Sequence, residues 1–417
     1  MIGYYDALTI ILERSPRLAS RRCTSMQALG QILAGPVVSP ADLPPFDNSA
    51  MDGFALCAGS ARLPAGSEYT VMGAQAAGDV LVQAAGGAWE IMTGARMPAG
   101  MDTVVPVEQV EVTRHDDSGR PLHIRLGMEV AAGQHVRRAG EDVPREAEVM
   151  AAGELLQAPQ LALLAALGIT EVQVVRHPRV ALICTGRELV DDPAQALQSG
   201  QIRNSNGPFL AARIVLAGAE VVYQQTVGDE PAAFVQALQQ ALQAGAEVVL
   251  STGAVSMGRH DFVPQALRGL GAEVHFHKVQ IRPGKPLLFA SLPGGALCFG
   301  LPGNPASGAV GLRFFVEPAL RHMLGLPLER PLRLPLRERF AKRVPLRCFL
   351  KGKVILTANG QLCATVLPGQ ESFKIRPLLD ANAWVVVAED ADICEAGSLV
   401  DVYGLGHLQP AMIEGTP

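Results

Sequence analysis

The chain has 417 residues, 48% of them apolar, and a formal net charge of −5. That length exceeds a single hydrophobic core and predicts about three or four domains. The apolar share excludes a disordered chain, and the mild acidity argues against a general nucleic-acid binder.

Apolar residues at helical spacing predict helices over 4–14 and 24–33. The first residues include Asp6 and Glu13 and no small-residue cleavage site, so no signal peptide is expected. Residues 44–55 read Pro-Pro-Phe-Asp-Asn-Ser-Ala-Met-Asp-Gly-Phe-Ala. Pro44 and Pro45 stop an entering helix, and Asp52-Gly53 favours a turn. The result is a polar loop anchored by Phe46 and Phe54, as a loop that must hold carboxylates in place requires.

Short β-like runs broken by Gly and Pro fill 68–112 and continue to 130, which predicts a compact β domain. A helix returns at 159–167, and the longest apolar stretch, 161–169, is too short to span a bilayer. From residue 179 strands alternate with helices. Strands are predicted at 180–184, 220–224, 247–250, 273–276, 287–290 and 296–299, and helices at 208–217, 231–244, 262–270 and 305–324. Helical crossovers imply a mostly parallel α/β sheet. Beyond residue 326 the chain is β-rich again, with strands expected at 351–356, 362–367 and 384–387. The seven cysteines are scattered without a Cys-x-x-Cys pair. They read as reduced thiols of a soluble cytoplasmic protein.

Three predicted strands run into loops of small and polar residues: 184–188, 251–261 and 300–308. In an open α/β sheet, ligands sit at the carboxyl ends of strands. Gly leaves backbone N–H groups uncovered, and a helix starting at Pro305 adds a positive dipole end. Ser251, Gly253, Ser256, Gly303, Asn304 and Ser307 thereby become candidate contacts to a phosphate ester, although each Gly also serves a tight turn. Asp52, Asp142, Glu188, Asp229 and Asp261 each lie near a Gly. Singly they are as readily solvated surface groups; converging, they suit Mg²⁺, with water and substrate phosphate completing the shell. His/Cys zinc spacing is absent. Lys278, Arg282 and Lys285 bracket a Pro-Gly turn fit to clamp an oxyanion. The basic stretch 321–353 holds ten Lys or Arg against Glu329 and Glu338. It lacks the aromatic interleaving of a single-strand binder and reads as a docking face or anion funnel.

These segments, in this order, resemble the molybdopterin molybdenumtransferase family, the MoeA and gephyrin E-domain proteins, over essentially the whole chain. The matching stretches are 47–55, Met92–Gly100, Arg137–Asp142, 251–261, Lys278–Pro286 and Gly300–Ser307. The resemblance implies an α/β multidomain protein. A mostly parallel three-layer α/β domain of molybdopterin-binding type would span 173–327. A discontinuous N-terminal linker domain would take 1–45 and 137–172, a small β domain 46–136, and a C-terminal β-barrel-like domain 328–417. It implies a Mg²⁺-dependent enzyme that inserts molybdenum from molybdate into adenylylated molybdopterin and releases AMP. It also implies a homodimer whose cleft joins the α/β domain of one chain to the β domain of the other. The adenylyltransferase and acceptor molybdoenzymes are candidate partners; neither nucleic acid nor membrane is expected.

Carried over by position, Asp52, Thr93 and Asp142 belong to the N-terminal half of the cleft. Glu188, Asp229 and Asp261 hold Mg²⁺ or position water. Lys278, Arg282 and Lys285 neutralise phosphate or molybdate, and Ser307 with the backbone at Gly303 cradles an anion. Arg347 and Ser372 match the family's residues near molybdate. The chain departs from the pattern at Arg187, Ala254, Arg282 and 369–376. Two other readings use the same domain. One is an enzyme that adenylylates molybdopterin, which the extra β domains argue against. The other is a non-catalytic carrier or scaffold, which the retained acids and cationic clamp argue against.

Overall fold

The computed structural model describes residues 1–254, 262–342 and 344–415. Two compact units make up the chain: Met1–Arg21 with Gly30–Ile32 and Val174–Pro417, and Arg22–Leu29 with Leu33–Gln173.

The larger unit is built on six strands: β1 (Arg179–Thr185), β2 (Glu220–Val227), β3 (Val248–Thr252), β4 (Glu273–His277), β5 (Leu288–Ser291) and β6 (Leu297–Leu301). Their order across the sheet is β2-β1-β3-β6-β5-β4. The first four are parallel; β5 and β4 pair antiparallel at the far edge. Side-chain alternation divides the strands between two cores. Val180, Leu182 and Cys184 join Leu250, Phe299 and the Leu210 and Ile214 of helix Asn206–Leu216. Ala181 and Ile183 join Val249, Cys298 and the Phe234 and Leu238 of helix Pro231–Gln243. With both faces covered the strands must be apolar throughout, which is why they read as continuous runs.

This connectivity creates the site. The crossover after β1 packs into the first core, and the helix after β3, Val263–Gly269, packs into the second. The loops after β1 and β3 therefore leave on opposite faces, opening a crevice between adjacent carboxyl ends. After β6 the chain runs as one buried helix from Pro305 to Met323, with a wider π turn over Leu312–Val316. Pro318 lies just beyond that turn and has no N–H to give the ladder, which accounts for the local widening.

The C-terminal strands are β7 (Leu332–Pro335), β8 (Arg347–Leu356), β9 (Leu362–Val366), β10 (Ala383–Val387) and β11 (Leu399–Gly404). They pair in the sequence β9-β8-β10-β11-β7, and a Leu336–Ala364 bridge returns to β9, closing a barrel. Its interior holds Cys348, Leu350, Val354, Val385 and Val402. The opposite face of β8 and β10 sends Phe349, Trp384 and Val386 into the first α/β core. A polar clasp ties the barrel to the helix. Fully buried Glu317 accepts from Arg213 at 2.7 Å and from the His407 N–H at 2.9 Å, and Arg313 pairs with Glu329 at 2.7 Å.

In the other unit a six-stranded sheet runs through 53–126. Phe54, Leu56, Val105, Ile124 and Leu126 form its core. The helix expected over 24–33 does not form. Ser20–Thr24 is a strand, and Ser25–Ala28 makes one 3₁₀ turn, capped by the Thr24 hydroxyl. Gly30, at φ +76°, interrupts the segment, and Leu33 gives its N–H to the Glu154 carbonyl at 2.9 Å. A ten-residue stretch with a central Gly does not sustain an isolated helix. No helix among the described residues is long and apolar enough to cross a membrane.

Candidate functional site

Three strand-end turns meet at the crevice. Thr185, last in β1, donates its hydroxyl to the Thr252 carbonyl at 2.9 Å, tying the ends of β1 and β3. Gly253 donates its N–H to the Leu301 carbonyl at 3.1 Å, tying β3 to β6. Gly253 has φ +87°, and a Cβ there would stand 2.6 Å from the Thr185 carbonyl oxygen. A Cβ on Gly303 would lie 3.7 Å from the Gly253 Cα. Gly253 thus lets the β1 and β3 backbones approach closely, and the Gly303 turn lies in ordinary contact with it. Ser251 Oγ, at the end of β3, is buried without a hydrogen-bond partner among the described residues. Ala254 takes φ +48°, a left-handed conformation unusual for a side chain with a Cβ.

Two acids border the first turn. The Arg187 N–H donates to Asp229 Oδ2 at 3.3 Å. The Glu188 carboxylate folds back over Gly186, whose Cβ position lies 2.8 and 2.9 Å from its oxygens. Asp261 and Ser256 lie outside the described residues. Among the described residues no three His, Cys, Asp or Glu side chains gather as a metal cluster. Two carboxylates at one turn nevertheless suit Mg²⁺, which keeps several waters and takes oxygens from a bound phosphate.

The cationic segment packs against the same region. Lys278 adopts φ +90°, its N–H bonded to the Leu287 carbonyl at 2.9 Å. Ile281 and Arg282 pair in parallel with Arg347 and Cys348 of β8, so the barrel fixes the Arg282 backbone. Gly284, at φ +98°, carries the turn over the 305–311 helix segment, near the Ser307 carbonyl. Arg282 and Lys285 are both exposed. A cavity of about 560 Å³ opens here, lined by Arg282, Pro283, Lys342, Cys348 and residues 369–371. Burial pushes the Cys348 thiol up, with Lys342 and Arg282 opposing.

At the helix start Asn304 is exposed and Ser307 is buried. The Ala306 N–H is already used, donating to the Ser372 carbonyl at 2.9 Å, so Ser372 enters the site through its backbone. Arg347, expected beside molybdate, is 5% exposed and engaged within the protein. Its terminal nitrogens reach Glu389 at 2.7 Å and the Tyr5 hydroxyl at 2.8 Å, and it stacks over the Tyr4 and Tyr5 rings. Its Nε has no partner among the described residues, and the side chain borders a cavity of about 460 Å³.

Sequence reasoning missed a polar network behind the crevice. Asn206 Nδ2 donates to the Gly303 carbonyl at 2.7 Å, bridging the 206–216 helix to the third turn. Asn204 Nδ2 donates to Asp191 Oδ1 at 2.9 Å and to Thr226 Oγ1 at 3.0 Å, while its Oδ1 caps the Gly207 N–H. The signal was present: Asn-Ser-Asn-Gly directly before an apolar-periodic run marks a helix start.

In the other unit Asp52 Oδ1 accepts the Thr93 N–H at 2.7 Å, and the Asp52 carbonyl accepts from Val107. Gly53 follows for a steric reason, since a Cβ would meet the Val105 carbonyl oxygen at 1.9 Å. Asp47 pins the third motif, accepting from Arg138 at 2.6 Å and from the Ala139 N–H at 2.8 Å. Partial burial raises the Asp47 pKa, but the Ala139 N–H and Arg138 outweigh it and hold the carboxyl below its usual range. Residues 47–55, 92–97 and 137–139 are thereby laced into one surface, and Asp142 stands exposed beyond them.

Three family models match the chain: the MoeA N-terminal region (domain I and II) over residues 2–168, a probable molybdopterin binding domain over 181–322, and the MoeA C-terminal region (domain IV) over 333–405. A molybdopterin molybdenumtransferase of Synechococcus elongatus is 38% identical over 416 residues, covering 97% of this chain and 100% of that protein. One from Staphylococcus aureus is 33% identical, covering 95% and 90%. The crystal structure of a molybdopterin biosynthesis MoeA protein from Pyrococcus horikoshii superposes with a TM-score of 0.79 at 28% identity, covering 97% of this chain and 99% of that one. With all three regions matched in order and a relative aligned from end to end, the chain belongs to the MoeA family of molybdopterin molybdenumtransferases.

Proposed function

We propose that the chain inserts molybdenum from molybdate into adenylylated molybdopterin and releases AMP, a step of molybdenum cofactor biosynthesis. The observation that carries this reading is the convergence of the Gly253 and Gly303 turns at the switch point of the domain that matches a probable molybdopterin binding domain. Exposed backbone at such a crevice suits a phosphate ester. Glu188 and Asp229 are the residues that would hold Mg²⁺, with Asp261 as a third candidate. When bound, that ion would neutralise the phosphoanhydride and polarise its phosphorus.

The chain's own groups supply the rest. Ser251, Gly253 and Gly303 face the substrate phosphates, with Ser256, Asn304 and Ser307 as further contacts. Lys278, Arg282 and Lys285 receive the molybdate dianion and the leaving phosphate. A water held by Asp229 adds to phosphorus, the P–O bond to AMP breaks, and AMP departs with the bonding electron pair. The substrate's two thiols bind molybdenum; one molybdate oxygen leaves as water with both thiol protons, and no electron is transferred. No protein thiol is needed: of the seven free cysteines only Cys57 is exposed.

The protein is further proposed to act as a cytoplasmic homodimer, with Asp52, Thr93 and Asp142 of one chain completing the α/β cleft of its partner. The four-domain division, 1–45 with 137–172, 46–136, 173–327 and 328–417, belongs to the same proposal. The test is to incubate purified protein with adenylylated molybdopterin, Mg²⁺ and molybdate and to measure AMP. Release that saturates with molybdate is expected; a folded protein that releases none would overturn the reading.

A further inference from the structure

Asn204 is buried, 7% exposed, just before the 206–216 helix. Its amide is fully engaged. Nδ2 gives one hydrogen to Asp191 Oδ1 at 2.9 Å and the other to Thr226 Oγ1 at 3.0 Å, and Oδ1 accepts the Gly207 N–H at 2.9 Å. The Thr226 hydroxyl donates on to Asp191 at 3.0 Å, which closes a ring of three side chains. The Gly207 N–H fixes which end of the amide is oxygen, since only an acceptor fits there. A Cβ on Gly207 would stand 2.9 Å from Asn204 Nδ2, so the helix start seats directly on the amide. Burial pushes the Cys184 thiol up, with Thr252 and Asn204 opposing, so the Asn204 side chain also borders the end of β1.

The ring joins the two segments that carry the acids of the first turn. Leu189 and Val190 pair in parallel with Ile202 and Arg203. The Glu188 carbonyl accepts the Ile202 N–H at 2.8 Å, and the Val190 carbonyl accepts the Asn204 N–H at 3.1 Å. Glu188 is therefore laid along the stretch that leads into Asn204. Thr226 stands on β2, three residues before Asp229, and the Gly186 N–H donates to the next carbonyl, that of Val227, at 3.0 Å. We propose that Asn204 is a positioning residue of the reaction: its amide sets the separation of the Glu188 and Asp229 carboxylates, and so the affinity for Mg²⁺, without touching ion or substrate. The inference rests on the reading of those two acids as the Mg²⁺ holders. An apolar side chain of the same shape would leave the buried Gly207 N–H without an acceptor and remove the donor that Asp191 and Thr226 share.

The test compares full-length Asn204→Leu, Thr226→Val and Thr226→Ser with Tyr223→Phe, whose hydroxyl on the same strand reaches Gln225 and Gln240 instead. Hydrogen exchange on the metal-free protein should show the Gly186 and Ile202 amides exchanging about tenfold faster in Asn204→Leu and Thr226→Val. Thr226→Ser, which keeps the hydroxyl, and Tyr223→Phe should exchange as wild type does. In AMP release the Mg²⁺ concentration for half-maximal rate should rise about tenfold in the first two variants, with kcat at saturating Mg²⁺ within about twofold and KM for molybdate unchanged. Wild-type exchange at both amides, faster exchange with an unshifted Mg²⁺ requirement, or an equal shift in Tyr223→Phe would each overturn the role. If Asn204→Leu does not fold, Thr226→Val carries the same measurements. Wild-type protein that releases no AMP, or releases it without Mg²⁺, defeats the reading of Glu188 and Asp229, and this role with it. A Mg²⁺-dependent wild type whose requirement the variants share defeats only the role of Asn204.

Discussion

Gly253→Ala perturbs the crevice at its narrowest point. Gly253 has φ +87°, and a Cβ in that region costs about 1–2 kcal/mol. The new methyl would lie 2.6 Å from the Thr185 carbonyl oxygen and 2.7 Å from Thr185 Oγ1. To reach ordinary contact the backbone must yield by about 0.8 Å, and overpacking of this kind costs about 1–3 kcal/mol. The expected loss of stability is therefore about 2–5 kcal/mol. Thr185 also holds the Thr252 carbonyl at 2.9 Å, so the displacement is transmitted to the β1–β3 contact. A shift approaching 1 Å at reacting groups lowers turnover by about 10²-fold. Gly303→Ala is the control: it has no positive φ, and its Cβ would meet nothing nearer than 3.7 Å. It should change stability by less than about 0.5 kcal/mol, so any loss of turnover there reflects a methyl in the crevice itself. Urea unfolding and AMP release measure both effects. A Gly253→Ala protein with wild-type unfolding midpoint and turnover would refute the close convergence of the turns.

The opposite change at the neighbouring position, Ala254→Gly, relieves φ +48° and should raise stability by up to about 1 kcal/mol in urea unfolding; a loss would contradict the left-handed assignment. Asp229→Ala and Asp52→Ala should each abolish AMP release without unfolding the protein. If the site is shared between chains, co-refolding the two inactive proteins should restore about a quarter of the wild-type sites by random pairing. No recovery in a confirmed mixed dimer would place both residues in the same chain's site. The Nε2–H of His407 donates to the Ala217 carbonyl at 3.0 Å. Burial drives its pKa down to about 3, the Ala217 contact opposing. An unfolded chain takes up this proton near pH 6.5, so the His407 contribution is complete above that pH and is lost as pH falls towards 3. Urea unfolding at pH 7 and pH 5 should show wild type weakened at the lower pH and His407→Gln much less so. Equal pH dependence would remove His407 as the source.

The strands and helices of the α/β sheet were legible because burial on both faces leaves a continuous apolar record, as in Val180–Cys184 and Leu297–Leu301. The turn after β3 was legible because only Gly permits the approach at Gly253, and the same holds at Gly53 in the other unit. Long-range partners were not. Arg347 was matched by resemblance to a residue near molybdate, and its stacking partners Tyr4 and Tyr5 lie more than 340 residues away in sequence. Lys351 reads as part of a basic stretch, and only the fold reveals that it faces three carbonyls. The apolar spacing of 24–33 mimicked a helix because periodicity alone does not register Gly30 at φ +76°.

The most direct test of the account is the ratio of AMP released to molybdenum bound in the product, measured with and without molybdate at saturating Mg²⁺. The account predicts one AMP for each molybdenum inserted, with Asp229→Ala deficient in both. Molybdenum incorporation that proceeds without AMP release, or that survives in Asp229→Ala, would contradict it.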